Sequence, residues 1–275
     1  MKLFMNIFQK KFFQKKLVSS FASSLVLGIA LSCAGAFYPQ FVKAQSATDA
    51  PDELLDLIED IDRAANRQKI DNVMDFYSED FTNSDGLNRE SLERAIGDFW
   101  QLYPILRYRT EVTSWERDGN AIIAETVTYL TGTRRMEDRN MSLTATIRSK
   151  QRYEGEKIVE QEILAERNQQ TLGEKPPSVE LSVPEEVFVR EQYSFDAIVT
   201  EPLGDEMMIG VAVEEPVSED AYFKASSFKL EELRSGGIFK IGTAPTNPES
   251  RWLSTIFMRE GGITINTHRL RVLEP

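Results

Sequence analysis

The stretch 106–133 reads LRYRTEVTSWERDGNAIIAETVTYLTGT, and it decides the fold class. Its two halves, Leu106–Arg117 and Ala121–Thr133, are rich in threonine, aromatic and β-branched residues, which favour strands. Asp118 and Gly119 stand between them, and this dipeptide is typical of a tight hairpin turn. The sequence therefore predicts two long antiparallel strands joined by a short turn.

Two more strands are predicted after this hairpin. Apolar and polar residues alternate from Met141 to Arg148, which is the period of a half-buried strand. The charged stretch Arg134–Asn140 is predicted as a longer turn before it. Glu154-Gly155 is predicted as the turn into a last strand over Lys157–Glu166. Together these segments form an antiparallel meander.

Helices are predicted before the meander. Apolar residues recur at helical spacing from Leu54 to Ala65, after Pro51 and two acidic residues that suit a helix start. The acidic residues predicted on the outer face of this helix are Asp56, Glu59, Asp60 and Asp62. The next predicted elements are a short helix over Ile70–Tyr77, a small hairpin or tight turn over Phe81–Leu87, and a third helix from the capping residue Asn88 to Tyr103, ended by Pro104.

This order of elements resembles the nuclear transport factor 2-like superfamily, and more narrowly its SnoaL-like branch. The motifs that carry the resemblance are Phe76-Tyr77-Ser78-Glu79-Asp80-Phe81, Asp85-Gly86 followed by Arg89-Glu90-Ser91-Leu92, and Gln151-Arg152-Tyr153-Glu154-Gly155 with Lys157-Ile158-Val159-Glu160. The resemblance covers about Ala50 to Asn168. It implies a cone, in which the sheet curls around the helices and leaves a pocket at the wide end. Members include isomerases, dehydratases and cyclases of small apolar molecules, ligand binders, and docking modules that dimerise through the sheet, so the fold alone does not choose an activity.

A second domain is predicted after a linker. Residues 169–177 are polar and end in two prolines, which is typical of a linker. Residues 178–275 contain about seven short alternating segments separated by turn residues, which favours an immunoglobulin-like sandwich. The predicted fold class is α+β: a cone-shaped nuclear transport factor 2-like domain over 50–168, followed by an all-β immunoglobulin-like sandwich over 178–275.

The first 44 residues are predicted to be a secretory signal peptide. They combine a lysine-rich start, an apolar stretch over Leu17–Phe37, and the cleavage-like tripeptide Val42-Lys43-Ala44. Cleavage after Ala44 would send the chain to the periplasm, or to a thylakoid lumen in a photosynthetic source, with no membrane attachment. The alternatives are an uncleaved anchor, because the apolar run approaches a spanning length, and lipidation at Cys33.

Composition narrows the chemistry of the mature chain. Six of the 32 basic residues and none of the 44 acidic residues precede Gln45, which leaves 26 bases, 44 acids and a net charge of −18. Such a chain repels phosphate backbones, so nucleic acid is excluded as a partner.

Cys33 is the only cysteine, so the mature chain has no thiolate chemistry. The only histidine, His268, lacks a second histidine for a metal site and is predicted as a surface or half-buried strand residue; we expect neither metal nor cofactor.

Two functions remain open. The first is a non-catalytic envelope protein that binds a small apolar ligand or docks another envelope protein. The family resemblance also implies that two copies could pair through the sheet of the first domain. Its candidate pocket residues are Tyr77, Phe81, Phe99, Trp100, Tyr103, Tyr108, Trp115 and Tyr129. The second is a small-molecule isomerase, dehydratase or hydrolase, because a buried carboxylate beside a tyrosine is a candidate base. Its candidate catalytic residues are Tyr77, Asp85, Glu125 and Tyr129.

Overall fold

The computed structural model describes residues 45–46, 49–202, 204, 206–224, 226–233 and 236–275. The predicted signal peptide over 1–44, with its cleavage point at Ala44 and the lipidation candidate Cys33, lies outside the described residues. Within the described residues, no helix is long and apolar enough to cross a membrane. Of these residues 58% lie in strands and 18% in helices.

Three helices precede the long strands, as the sequence predicts. They are α1 (Asp52–Asn66), α2 (Ile70–Met74) and α3 (Arg89–Leu102). The predicted cap of α3 is confirmed: the Asn88 side chain accepts from the backbone N–H of Ser91, while the Ser91 hydroxyl accepts from the backbone N–H of Asn88. Helix α2 ends at Met74, before the predicted end at Tyr77. The predicted hairpin over Phe81–Leu87 is wrong in part, because its first residues belong to strand β2 (Tyr77–Asn83), which pairs in parallel with a later strand.

The four meander strands are confirmed and are longer than predicted. They are β3 (Ile105–Asp118), β4 (Ala121–Met136), β5 (Arg139–Glu154) and β6 (Lys157–Gly173). All three neighbouring pairs are antiparallel. Gly119 and Gly155 hold the left-handed conformation that their tight turns require, with φ of +61° and +60°. A short strand, β1 (Gln45–Ser46), pairs with the outer edge of β3.

The C-terminal part is strand-rich. Its elements are β7 (Val179–Ser182), β8 (Glu186–Phe188), β9 (Gln192–Val199), β10 (Met208–Pro216), α4 (Glu219–Phe223), β11 (Glu231–Leu233), β12 (Gly237–Thr243), β13 (Glu249–Arg259) and β14 (Gly262–Leu273). Strands β12, β9 and β7 form a separate three-stranded sheet in that order. Tyr193 and Phe195 on β9 pack against Leu253 on β13 and Leu270 on β14.

The prediction of a cone followed by an independent immunoglobulin-like sandwich is wrong. One eleven-stranded sheet runs through both predicted domains, with the path β1-β3-β4-β5-β6-β14-β13-β10-β11, while β2 pairs with β6 and β8 with β14. The junction is the antiparallel pairing of β6 with β14, from His268 opposite Arg167 to Gly262 opposite Gly173. The predicted linker at 169–177 therefore begins inside a strand. Its glutamines belong to the middle of the sheet because they have partners there: Gln170 accepts from the Tyr103 hydroxyl at 2.7 Å, and Gln169 donates to Asn266 at 3.0 Å.

The hydrophobic core is also shared between the two parts. A single buried cluster contains Leu54 from α1 and Trp115 from β3 together with Tyr222 from α4 and Trp252 from β13. The helices of both parts thus cover one face of the large sheet. The three-stranded sheet covers part of the opposite face.

Candidate functional site

A cavity of about 150 Å³ lies between the N-terminal helices and the four meander strands. Helix α1 contributes Ile58, Ile61, Asp62 and Ala65, which are spaced at i, i+3, i+4 and i+7 and so share one helix face. The other lining residues are Val73, Tyr77, Ile96, Trp100, Tyr108, Thr110, Thr128, Gln151, Tyr153, Ile158 and Gln161. The wall is mostly aliphatic and aromatic, with a few polar groups at fixed places. This is the composition of a small-molecule pocket.

Polar contacts fix α1 on β3 beside the cavity. The two oxygens of Asp62 accept from the Thr110 backbone N–H at 2.6 Å and from the Thr110 hydroxyl at 2.7 Å. Because the Thr110 hydroxyl proton is used in this way, Thr128 donates to the Thr110 oxygen, 3.0 Å away. One turn further, Asn66 exchanges two hydrogen bonds with the Tyr108 backbone, at 2.8 and 2.9 Å.

Tyr108 presents a hydrogen-bond donor to the cavity. Its phenol oxygen accepts from the Trp100 indole N–H at 2.9 Å, so the phenol proton points away from that contact. Burial raises the pKa of Tyr77 to about 12. Burial also raises the pKa values of Tyr108 and Tyr153 above their usual range. All three phenols are therefore protonated at neutral pH, and Tyr153 donates its proton to Gln151.

The predicted pocket residues separate into three groups. Tyr77, Trp100 and Tyr108 line the cavity. Tyr129 lies on the opposite face of β4, 36% exposed, with the Arg109 guanidinium 4.6 Å from its ring centre. The remaining four are buried in the surrounding core and do not line this cavity: Phe81, Phe99, Tyr103 and Trp115.

The four predicted catalytic residues do not meet. Tyr77 lines the cavity, whereas Glu125 lies with Tyr129 on the outer face of β4, opposite Lys150 in the strand register. Asp85 is part of a separate buried ion cluster. Strand alternation explains the position of Glu125, since its neighbours on either side, Ala124 and Thr126, take the inner face.

The buried ion cluster joins the N-terminal and C-terminal parts. Arg269 on β14 donates to both oxygens of Asp85, at 2.8 Å each, and lies 3.2 Å from the Glu166 carboxylate. Tyr222 donates to Asp85, and the Trp252 indole donates to Glu166 at 3.1 Å. Burial opposes the charge on Arg269, but the two carboxylates outweigh it and raise the Arg269 pKa. Each of these side chains contacts at least one other member of the cluster, and among the described residues only Arg269 Nε has no hydrogen-bond partner, so we interpret the cluster as structural.

Sequence reasoning missed the polar residues of the cavity. Asp62 was predicted on the outer face of α1, but it turns inward because Thr110 supplies two donors there. Thr128 and Gln161 lie in no motif of the sequence, and Gln151 begins a motif that indicates the fold and not a pocket. Their inward direction follows only from the strand register, which the sequence alone did not fix. Among the described residues, no group of histidine, cysteine and carboxylate side chains could hold a metal ion.

Solved structures resemble part of the chain. They include Bd1075 of Bdellovibrio bacteriovorus (17% identity, TM-score 0.30, 40% of this chain and 38% of that chain), and an uncharacterised cystatin-fold protein of Novosphingobium aromaticivorans (14%, 0.29, 40% and 95%). A protein of unknown function with a cystatin-like fold from Nostoc punctiforme is also similar (12%, 0.29, 40% and 86%). The chain thus spans little more than a third of the Bdellovibrio protein. No curated protein matches the sequence. Residues 174–273, which begin directly after β6, match a family described as a domain of unknown function (DUF8623).

Proposed function

We propose that this protein is an exported, non-catalytic binding protein that holds a small, mostly apolar molecule with one hydrogen-bond acceptor in the cavity beneath α1. The observation that carries the proposal is the Tyr108 phenol, whose lone pair is used by Trp100 and whose proton is available to a ligand. The aliphatic and aromatic wall supplies the apolar contact. Export rests on the signal-like segment over 1–44, and the periplasm is the compartment we expect.

The size of the cavity limits the ligand. A dry cavity of about 150 Å³ in another protein admits benzene, and this cavity has about the same volume. A molecule with one ring and a carbonyl group therefore fits the space and satisfies the donor. Docking of another envelope protein is the alternative, and it predicts no dependence on the cavity.

The test compares two probes of nearly equal shape, acetophenone and ethylbenzene, which differ by a carbonyl oxygen. Binding is measured by calorimetry or by saturation-transfer NMR on the protein without its first 44 residues. We expect acetophenone to bind about five- to tenfold more tightly than ethylbenzene, because one neutral hydrogen bond contributes about 1 kcal/mol. Tyr108→Phe should remove this preference. Tyr129→Phe is the matched control, since the same atom is removed on the opposite face of β4.

Filling the cavity gives an independent variant. Ala65→Phe places a ring where the wall has only a methyl group, and we expect it to abolish binding of both probes. The proposal fails if neither probe binds, or if Ala65→Phe binds acetophenone as the parent does. If the parent protein converts a probe into a product and Asp62→Asn abolishes this turnover, the function is catalytic and not binding alone.

A further inference from the structure

A second, polar groove lies on the face of the large sheet opposite the helices. It has a volume of about 260 Å³ and lies where β5, β6 and β14 meet the edge strand β7, whose Leu181 forms one wall. Two cross-strand rows form its floor. The first is Thr144, Gln169 and Asn266, and the second is Thr146, Arg167 and His268. The groove belongs to neither the cavity beneath α1 nor the buried ion cluster.

Two buried polar atoms of this floor, and a third on the neighbouring strand β13, have no hydrogen-bond partner among the residues that the structure describes. They are the Thr255 hydroxyl, the Asn266 amide nitrogen and His268 Nε2. Thr255 and Asn266 are paired in the strand register, and His268 is the next residue on the same face of β14. His268 is only 4% exposed, which corrects the prediction of a surface or half-buried residue. Because an unpaired buried polar group is costly, the three atoms favour a polar molecule, either water or a ligand, in the adjacent groove.

Asn266 and Arg167 supply hydrogen-bond donors to the groove, beside the Gln169 carbonyl oxygen, which is an acceptor. The Asn266 carbonyl oxygen already accepts from Gln169 at 3.0 Å, which leaves the Asn266 NH₂ group for another partner. Arg167 adds a guanidinium, and Glu185, 2.7 Å from it, is shared with Arg148. None of the described residues that line the groove is acidic, although the chain has 44 acids and 32 bases. The charge and the donors thus both favour an anionic ligand.

We propose that this groove is a binding site for a small carboxylate, whose oxygens accept from Asn266 and Arg167 over the His268 ring. A carboxylate suits the donors because its two coplanar oxygens match the fork of a guanidinium. Burial, assisted by Arg167, lowers the pKa of His268 to about 4, so the ring is neutral at pH 7 and adds no charge of its own. The volume accommodates a mono- or dicarboxylate of a few carbons.

The lone histidine makes the groove directly observable. The protein contains one histidine, so a sample labelled with ¹⁵N-histidine gives one imidazole spin system, and it belongs to His268. We would titrate acetate, succinate and phosphate at constant ionic strength, with sodium chloride as the balancing salt. The expected result is a saturable shift of the imidazole signals by the carboxylates. Arg167→Met should weaken this binding at least tenfold.

The matched control is Arg63→Met on α1. Arg63 is likewise exposed and paired with acidic residues, so its replacement makes the same change in net charge away from the groove. Arg167 is 63% exposed, and we expect its removal to leave the fold intact. If Arg167→Met unfolds, the second variant to test is Thr144→Val, which lies at an exposed position of the groove floor.

Three results would overturn the proposal. The imidazole signals stay unmoved by both carboxylates, or they respond to phosphate and not to carboxylates, or Arg63→Met and Arg167→Met weaken binding equally. The first outcome would mean that only water completes the site.

Discussion

Replacing Asp85 by asparagine removes one charge from the buried cluster that joins the two parts of the chain. Asparagine keeps the shape of the side chain and suits the same turn before Gly86, so the change isolates the ion pair. Asp85 accepts two bonds of 2.8 Å from Arg269, and both side chains are almost fully buried, at 1% and 0% exposure. The Asp85→Asn variant leaves Arg269 with Glu166 as its remaining carboxylate partner.

Removing one partner of a buried ion pair costs about 3–5 kcal/mol, because the other charge stays buried. Glu166, 3.2 Å from Arg269, compensates in part, so we expect the lower end of this range. A loss of about 3 kcal/mol lowers the Tm by roughly 6–12 °C for a chain of this size. The control is Glu53→Gln at the exposed Arg117–Glu53 pair, where we expect about 0–1 kcal/mol.

The assay is urea unfolding followed by circular dichroism and tryptophan fluorescence. Because one sheet and one core run through both parts, we expect a single transition that moves to lower urea in Asp85→Asn with an unchanged slope. Two separate transitions, with Asp85→Asn affecting only one of them, would refute the shared architecture. A loss no larger than that of Glu53→Gln would refute the role of the cluster.

Two further predictions concern the sheet junction and the lone histidine. Gly173→Ala places a Cβ 2.4 Å from the Gly261 carbonyl oxygen at a φ of +104°, so we expect a loss of about 2–4 kcal/mol in urea unfolding. The control Gly119→Ala, at a φ of +61° with open space, should lose only about 1–2 kcal/mol, and equal losses would contradict a close approach at the junction. The His268 pKa of about 4 lies below the unfolded value of 6.5, so the unfolded chain binds the extra proton as pH falls between these values. Stability attributable to His268 is therefore complete above pH 6.5 and decreases by about 3 kcal/mol down to pH 4; subtracting the unfolding pH profile of His268→Gln from the parent profile should reveal this loss, and parallel profiles would refute it.

The local elements were predictable because their signals are local. The cap at Asn88 and the turn at Asp118-Gly119 depend on a few neighbouring residues, and the structure confirms both. Aromatic character alone selected eight pocket candidates, of which only Tyr77, Trp100 and Tyr108 line the cavity, because aromatic residues also fill the surrounding core. The direction of Asp62 was not predictable, since it depends on Thr110, 48 positions away.

The prediction of a linker from residue 169, where β6 continues to Gly173, has a specific cause in this strand. A strand normally shows one apolar face, but the C-terminal half of β6 is polar on both faces. Glu166 and Gln170 face the helices, where they bond with Arg269 and with Tyr103. Arg167 and Gln169 face the groove on the other side. Such a segment has the composition of a linker, and only its partners on distant elements show that it lies at the centre of a sheet.

The polar residues that give the C-terminal half of β6 the composition of a linker also form the ion pairs and hydrogen bonds of the junction. An apolar strand at this position would join the two parts by burial alone and would leave neither an ion cluster on one face nor a donor-lined groove on the other. Placing charged and amide side chains there costs desolvation, which the protein offsets with Asp85 and Arg269 on the helix side. Among the described residues, buried atoms without a hydrogen-bond partner occur on both faces: Asn266 Nδ2 and His268 Nε2 on the groove side, and Arg269 Nε and Gln170 Nε2 on the helix side. The two faces differ in access, since Arg269 is 0% exposed in the cluster whereas Arg167 is 63% exposed in the groove, and this difference is the reason to look for a ligand at the groove and for a purely structural role at the cluster.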